Sequence, residues 1–260
     1  MNAPFGLPGT PLDPSDPINK GLIGWWPMWE GAGGKCLDIS GNNKHGTLTN
    51  GPVWAGDAID CDGTNDEINS GLVTSAKTNV TMCAWVWPRV LPDEHRIMLN
   101  GTGGGLTGWS MSISQDYVYG GAGDIFGGVV EGYEFVRSGW VVPNQKWSFL
   151  LITIKDYTWR FYANGAFISE KTAANLPGTP TTGSRIVTAL DGRISNARFF
   201  NRIISDAEIR QLYINPYEGL WVPDITRYYV PAAGGGGGWR HIIGHGDYTG
   251  PGIVAQGGLG

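Results

Sequence analysis

The residues best equipped for chemistry lie near the end of the chain. His241, His245 and Asp247 put two nitrogen donors and one carboxylate within a short stretch, a set that suits zinc. Their spacing fits a helix, but Gly244 and Gly246 make the stretch a loop. A four-coordinate site would need a further ligand, and no cysteine is near. The expectation is therefore no metal here. A second set, Asp38, Ser40, Asn42 and Asn43, stands between glycines. Side chains of this kind bond back to the backbone and fix turns. They are also oxygen ligands for Ca²⁺, although the EF-hand order is absent. Turn formation is the expectation and Ca²⁺ the alternative, with no other cofactor implied.

Other patterns carry less. Gly103-x-Gly105-x-x-Gly108 matches a dinucleotide fingerprint in form. The residues after Gly108 alternate with period two, so no helix N-terminus is available to meet a phosphate. No Gly-x-Ser-x-Gly elbow and no His-Glu-x-x-His occurs. Trp25, Trp26 and Trp29 are either a sugar-stacking platform or core, and large aromatics are common core filler. Cys36, Cys61 and Cys83 are far apart and odd in number. They read as buried reduced thiols, consistent with folding in a cytoplasm.

The elements that position these residues are strands. Trp147 to Lys155 is apolar on both alternating rows, as in a strand buried on both faces at the centre of a sheet. Asp156-Tyr157 turns the chain, and Thr158 to Ala163 places Trp159 and Phe161 on one row and Arg160 and Tyr162 on the other. Asn164-Gly165 supplies a two-residue turn that needs positive φ, and Ala166 to Lys171 returns. Further strands are expected at Gly21–Glu30, Ala58–Asp62, Asp66–Asn69, Val80–Trp87, Ile97–Leu99, Trp109–Ser114 and within Ile186–Asn201. The turn Gly63-Thr64-Asn65 joins the second and third of these. Hairpins are expected over Asp116–Arg137. Ser205 and Glu208 form a capping box, and Ile209, Leu212 and Tyr213 give one helix an apolar stripe.

Composition agrees. The 42 glycines and 12 tryptophans of the 260 residues are an all-β signature. A net charge of −5 without a Lys/Arg run argues against nucleic acid and anionic membrane as partners. The first residues, MNAPFGLPGTPLDPSDP, have no basic and no apolar region of a secretory signal. No stretch approaches ~18 apolar residues, so membrane insertion is not expected.

In order, GLIGWWPMWEGAGG, DISGNNKHGTLTNGPVW, AIDCDGTNDEI, VTMCAWVWP, the 146–170 stretch and LDGRISNARFFNRIISDAEIRQLY resemble the successive motifs of the laminin G-like, concanavalin A-like jelly-roll family. The resemblance covers residues 21 to 215. It implies an all-β fold: a two-sheet antiparallel jelly-roll sandwich with one short C-terminal helix. It implies no single activity, since members include lectins, adhesion modules, hydrolases and structural domains. Hydrolases on that fold carry acids in a Glu-x-Asp-x-x-Glu pattern, where two carboxyls about 5–5.5 Å apart do the chemistry. The pattern is absent, and Glu131 and Glu134 would face opposite ways on a strand. No catalytic residue is assigned, and the chain is expected not to be an enzyme.

Segments 1–20 and 216–260 lie outside that resemblance and read as extended arms around the 21–215 domain. The first is proline-rich. The second holds many aromatics and a five-glycine run, with too many apolar side chains for a solvated linker. Phe5, Trp221, Tyr228, Tyr229, Trp239 and Tyr248 are the candidate assembly contacts, to copies of the chain or to other subunits. A domain with such arms resembles virion structural proteins of tailed bacteriophages that carry a laminin G-like module. That resemblance implies a capsid decoration, tail or fibre-associated component at the virion surface, made in a host cytoplasm. The alternative is a free-standing carbohydrate-binding or adhesion module, at a cell surface or outside the cell by a route other than a signal peptide. For binding cell-surface glycans, Trp87, Tyr117 and Tyr119 are the candidate platform.

Overall fold

A computed structural model describes residues 9–72, 78–90, 94–101, 108–116, 121–129, 134–174, 184–188, 190–221, 225–231 and 239–245. The described chain is built from strands, one short α-helix and a 3-10 turn at Pro17–Asn19. The first six strands are β1 (Leu22–Trp26), β2 (Lys35–Cys36), β3 (Gly46–Thr49), β4 (Val53–Trp54), β5 (Ile59–Asp62) and β6 (Glu67–Asn69). Longer ones come next: β7 (Val80–Pro88), β8 (Glu94–Gly101), β9 (Gly108–Asp116), β10 (Gly121–Val129), β11 (Glu134–Val141) and β12 (Ser148–Lys155). Then come β13 (Thr158–Ala163), β14 (Ala166–Thr172), β15 (Arg185–Thr188), β16 (Asp191–Phe200), the helix α1 (Asp206–Ile214), and finally β17 (Ile225–Pro231) and β18 (Trp239–His245).

Two antiparallel sheets form within the unit Met1–Leu220. The first runs β14-β13-β12-β7-β16-β5-β4, with β1 also paired to β16; the second runs β11-β10-β9-β8-β15-β6-β3-β2. This is the expected jelly-roll sandwich. Its core lies between the sheets, where Met82, Ile152 and Phe161 of the first meet Ile68, Met111 and Ile186 of the second. Trp109 stacks on Phe199 across this gap at 4.6 Å. Gly24 leaves room for the core: a Cβ there would lie 2.3 Å from the Trp26 ring, which folds back over it.

β12 lies between β7 and β13 and is buried on both faces, as its continuous apolar run requires. Asn164 and Gly165 both take positive φ in the turn to β14. β14 is the edge of its sheet and is mostly exposed. Its Ser169 hydroxyl donates to the Ser138 carbonyl of β11, the edge of the other sheet, at 2.7 Å.

The strands around Gly63-Thr64-Asn65 do not form a hairpin. β5 belongs to the first sheet and β6 to the second. The turn carries the chain from one layer to the other, and buried Asp66 secures it by accepting from the Asp62 N–H at 2.9 Å.

β16 holds one bulge. Ser195 pairs with Trp85 but Arg198 with Cys83, so one extra residue is inserted at Asn196, whose φ is 49°. The insertion shifts the inward row from Ile194 to Ala197 and Phe199 and turns Arg198 outward. On its other edge β16 pairs with β5 before the bulge and with β1 after it.

The unit Trp221–Gly260 contains one antiparallel hairpin, β17 with β18, in register from Ile225↔His245 to Pro231↔Trp239. His241 and His245 therefore sit on a strand rather than in a loop.

Candidate functional site

The outer face of the first sheet is divided along its strands. At one end Trp25, Cys83, Phe149, Leu151, Tyr162 and Phe200 form a second apolar cluster with Ile209 and Leu212 of α1 and with Ile18 and Leu220. The helix is fixed by its capping box: the Glu208 N–H donates to Ser205 Oγ, and the Ser205 N–H donates back to the Glu208 carboxylate at 2.7 Å. Tyr213 stacks on Trp85 at 5.7 Å, and the Tyr162 hydroxyl donates to Asp206 at 2.9 Å. Trp25 and Trp26 are fully buried, and Trp29 stacks on Tyr217 at 5.8 Å. The three tryptophans are packing residues, not a sugar platform.

Toward the other end the outward rows turn polar. Thr81, Thr153, Arg160 and Glu170 are consecutive cross-strand partners on β7, β12, β13 and β14. They lead into a cleft of about 740 Å³. Thr153, Lys155, Thr158, Arg160 and Glu170 line it from the sheet, Asn79 and Asp156 from turns, and Asn201, Arg202 and Ile203 from the connection to the helix. Arg160 Nε donates to Glu170 Oε2 at 2.6 Å, both side chains being about half exposed.

One arginine fixes the wall. Arg202 donates to both Glu208 oxygens, at 2.5 and 3.0 Å, and to the carbonyl oxygens of Lys20, Pro17 and Ile18. Its own carbonyl accepts from the Thr81 hydroxyl at 2.7 Å. Partial burial pushes the Glu208 carboxyl up, but the bonds from Arg202 and Ser205 outweigh it and hold the group below the usual carboxylate range. The wall is thus tied to the helix N-terminus and to residues 17–20.

Trp87 stands on the same outer face, half-buried, six residues along β7 from Thr81 and so about 20 Å away. Its ring carries the Arg193 guanidinium at 5.2 Å. Arg193 also donates to Asp60 at 3.0 Å, and Asp60 takes Arg89 at 2.5 Å. Trp87 therefore belongs to a charge network at the far end of the sheet, not to the cleft. Tyr117, Tyr119, Phe5 and Tyr248 lie outside the described residues. Tyr228, Tyr229 and Trp239 fall on the β17–β18 hairpin, and Trp221 is exposed.

The other sequence candidates are structural. Asp38 is buried, and its carboxylate accepts from the N–H groups of Trp25, Ser40 and Lys44 at 2.9–3.0 Å. This is the turn-fixing role. No cluster of three metal-ligating side chains occurs among the described residues. All three cysteines are free and buried; burial raises each thiol, Cys83 to about 12. The cleft was missed in the sequence because its lining comes from four separated stretches. The signal available was Thr153, where the outward row of β12 turns from apolar to polar, with Lys155 following it.

Fold and cleft define a lectin-type sandwich with a polar concavity on its helix-bearing face. A family model described as the concanavalin A-like lectin/glucanases superfamily, of laminin G-like type, matches residues 62–210. The chain belongs to this superfamily. No curated protein matches it in sequence.

Among solved structures it is similar to Trypanosoma rangeli sialidase in complex with sialic acid, with a TM-score of 0.59 and 16% identity over 80% of this chain and 36% of that one. It is similar also to domain 4 of an extracellular arabinanase from Geobacillus stearothermophilus, in complex with arabinotriose, with a TM-score of 0.61 and 17% identity over 74% of this chain and 98% of that one. The binding domain of botulinum neurotoxin serotype D gives 0.59 and 17% over 82% and 58%. The chain spans about a third of the sialidase's length. At these identities the likeness is one of fold. Among the described residues no helix is long and apolar enough to cross a membrane.

Proposed function

We propose that the chain is a non-catalytic saccharide-recognition module that holds part of a glycan in the polar cleft of its first sheet. The observation that carries this reading is the lining: hydroxyl, amide, guanidinium and carboxylate groups spaced across three strands of a lectin-type sandwich. Such groups exchange hydrogen bonds with sugar hydroxyls. Support comes from the arabinanase domain, a sandwich of matching extent whose structure holds arabinotriose. The non-catalytic part rests on the carboxyls. The cleft lining holds two carboxyls: Glu170 is committed to Arg160, and Asp156 stands on the turn between β12 and β13; among the described residues the two carboxyls pushed up by burial, Glu30 and Asp66, are not in the lining. The test is a glycan array with wild-type protein and Arg160→Ala. Binding that the variant loses at unchanged melting temperature supports the reading. Absence of binding to every glycan on a broad array would sink it.

A second reading has its own observation. Among its described residues the Trp221–Gly260 unit contains one two-stranded hairpin, and a two-stranded hairpin by itself is at best marginally stable in water. A partner surface that completes it favours a role as an assembly component, the virion structural protein being the form the architecture suggested. Both roles fit one molecule, a glycan-binding head on an anchored subunit. The mass of the full chain in solution, against a chain ending at Leu220, tests this. A defined oligomer that falls to monomer on truncation supports assembly through the segment, and equal masses count against it.

A further inference from the structure

We infer that the two ends of the sandwich form a latch, and that Arg202 carries the state of that latch to the cleft wall. Closing or opening of the chain ends then sets the cleft's affinity, a consequence that rests on the reading of the cleft as a saccharide site. Leu12 and Leu220 form an antiparallel bridge, so the chain enters and leaves the sandwich at one place. The Asp13 N–H donates to the Gly219 carbonyl at 2.8 Å. Asn19 fastens the two segments: its side-chain amide donates to the carbonyl oxygens of Asp13 and Gly219, each at 2.7 Å. The fit requires glycine at 219, where φ is 95° and a Cβ would lie 2.4 Å from Asn19 Oδ1.

The same strip of backbone holds the cleft wall, to which Asn201, Arg202 and Ile203 belong. The Asn201 N–H donates to the Gly21 carbonyl at 2.8 Å. The Arg202 guanidinium donates to the carbonyl oxygens of Pro17, Ile18 and Lys20. Wall and latch therefore share residues 17–21. That strip is lightly anchored, since among residues 9–21 Ile18 alone is buried. A segment closed by a handful of hydrogen bonds and one buried side chain belongs to the low end of local stability and opens as a unit. Opening takes these three acceptors from Arg202 and the Gly21 carbonyl from Asn201, so the wall loses the contacts that set its place beside the cleft. By linkage, a molecule that needs the wall in place closes the latch.

The experiment is amide hydrogen exchange on the full chain with one variant on each side of the latch, Asn19→Asp and Gly219→Ala. Asn19→Asp keeps the shape of the side chain and loses its donor. Either variant should speed exchange at the Asp13, Leu220 and Asn201 amides together, about ten-fold or more, and leave Ile152 in the central strand β12 as in the wild type. Acceleration confined to the mutated side, or an Asn201 amide as protected as before, overturns the inference. On the glycan array Gly219→Ala, a residue outside the cleft lining, should weaken the wild-type signal about five-fold or more. An undiminished signal from a latch that exchange shows to be open overturns the coupling and leaves the saccharide reading standing. A wild type that binds no glycan overturns the saccharide reading, while the latch stands or falls on exchange.

Discussion

Arg198 offers the sharpest test of how the sandwich is closed. The side chain is 1% exposed, yet among the described residues no carboxylate forms an ion pair with it. Its guanidinium lies 3.5 Å over the Trp25 ring and donates to the carbonyl oxygens of Glu218, at 2.9 Å, and Pro216. Asn196 joins the same group, accepting from Trp25 Nε1 at 2.7 Å and donating to the Pro216 carbonyl. Burial lowers the arginine's pKa to about 10, a penalty of about 3 kcal/mol on the charged form. Against this stand two charge-assisted hydrogen bonds, each worth about 1.5–3 kcal/mol, and a desolvated cation–π contact of about 2 kcal/mol.

Arg198→Met removes penalty and bonds together and leaves the Glu218 carbonyl short of a donor. The expected net loss is about 3 kcal/mol, the middle of that balance, or roughly 6–12 °C in melting temperature. Arg198→Lys should fall between, since one ammonium cannot reproduce the fork. The assays are thermal unfolding of the full chain and limited proteolysis at Pro216–Leu220. A variant that melts within about 2 °C of wild type, with no new cleavage in that segment, would refute the claim that the buried guanidinium holds it. Replacement of buried ions by apolar groups is sometimes neutral or stabilising, so the refuting outcome is a real one.

Three further outcomes are expected. Glu208 has a depressed pKa in the fold, so its contribution is present above its unfolded value and is lost as pH falls through the folded one; Glu208→Gln should flatten the acid limb of stability below about pH 4.5. The Tyr162 hydroxyl is raised to about 12, by burial first and then by its bond to Asp206; its contribution is complete below about pH 10 and disappears by pH 12, and Tyr162→Phe should remove that alkaline fall in denaturant titrations. The three buried thiols should be silent to a thiol reagent at pH 8 and react together on unfolding, and fast labelling of any one in the native protein would contradict the packing.

The strands of the β12–β14 meander were legible because each carries its own instruction. β12 is apolar on both rows, β13 alternates, and Asn164-Gly165 accepts positive φ where the turn demands it. The capping box at Ser205 was legible for the same reason, as its partners are three residues apart. What local pattern could not tell was layer. Gly63-Thr64-Asn65 has the chemistry of a turn whether the next strand pairs with the last or crosses to the other sheet, and the deciding contact, Asp66 to the Asp62 backbone, appears only once the core is closed. Nor could alternation separate Trp85 from Trp87. Both occupy one outward row, but Tyr213 of the helix covers the first while the second lies beyond it. The bulge at Asn196 is half visible: Ile194, Ala197 and Phe199 are spaced three and then two, which a regular strand cannot place on one face.

The division of the outer face links fold to function. Along β7 and β12 the outward row runs from Trp85 and Phe149, through Cys83 and Leu151, to Thr81 and Thr153. The apolar part needs a cover, and α1 with the segments around Ile18 and Leu220 supplies it. A helix of nine residues spans roughly 13 Å, while six residues of β7 span about 20 Å. The helix alone cannot roof the whole row, so the sequence beneath its open end must tolerate water. Thr81 and Thr153 meet that need differently from surface residues. Both are nearly fully buried, and the Thr81 hydroxyl is bonded into the connection that carries Arg202. The polar end is thus built as a fixed floor with a braced wall, not as bare sheet surface. A substitution that extends the apolar row, such as Thr153→Val, should leave the sandwich folded and change the cleft alone. Saccharide affinity lost without loss of stability in that variant would place the binding surface here, whereas retained affinity would move it to another part of the sandwich.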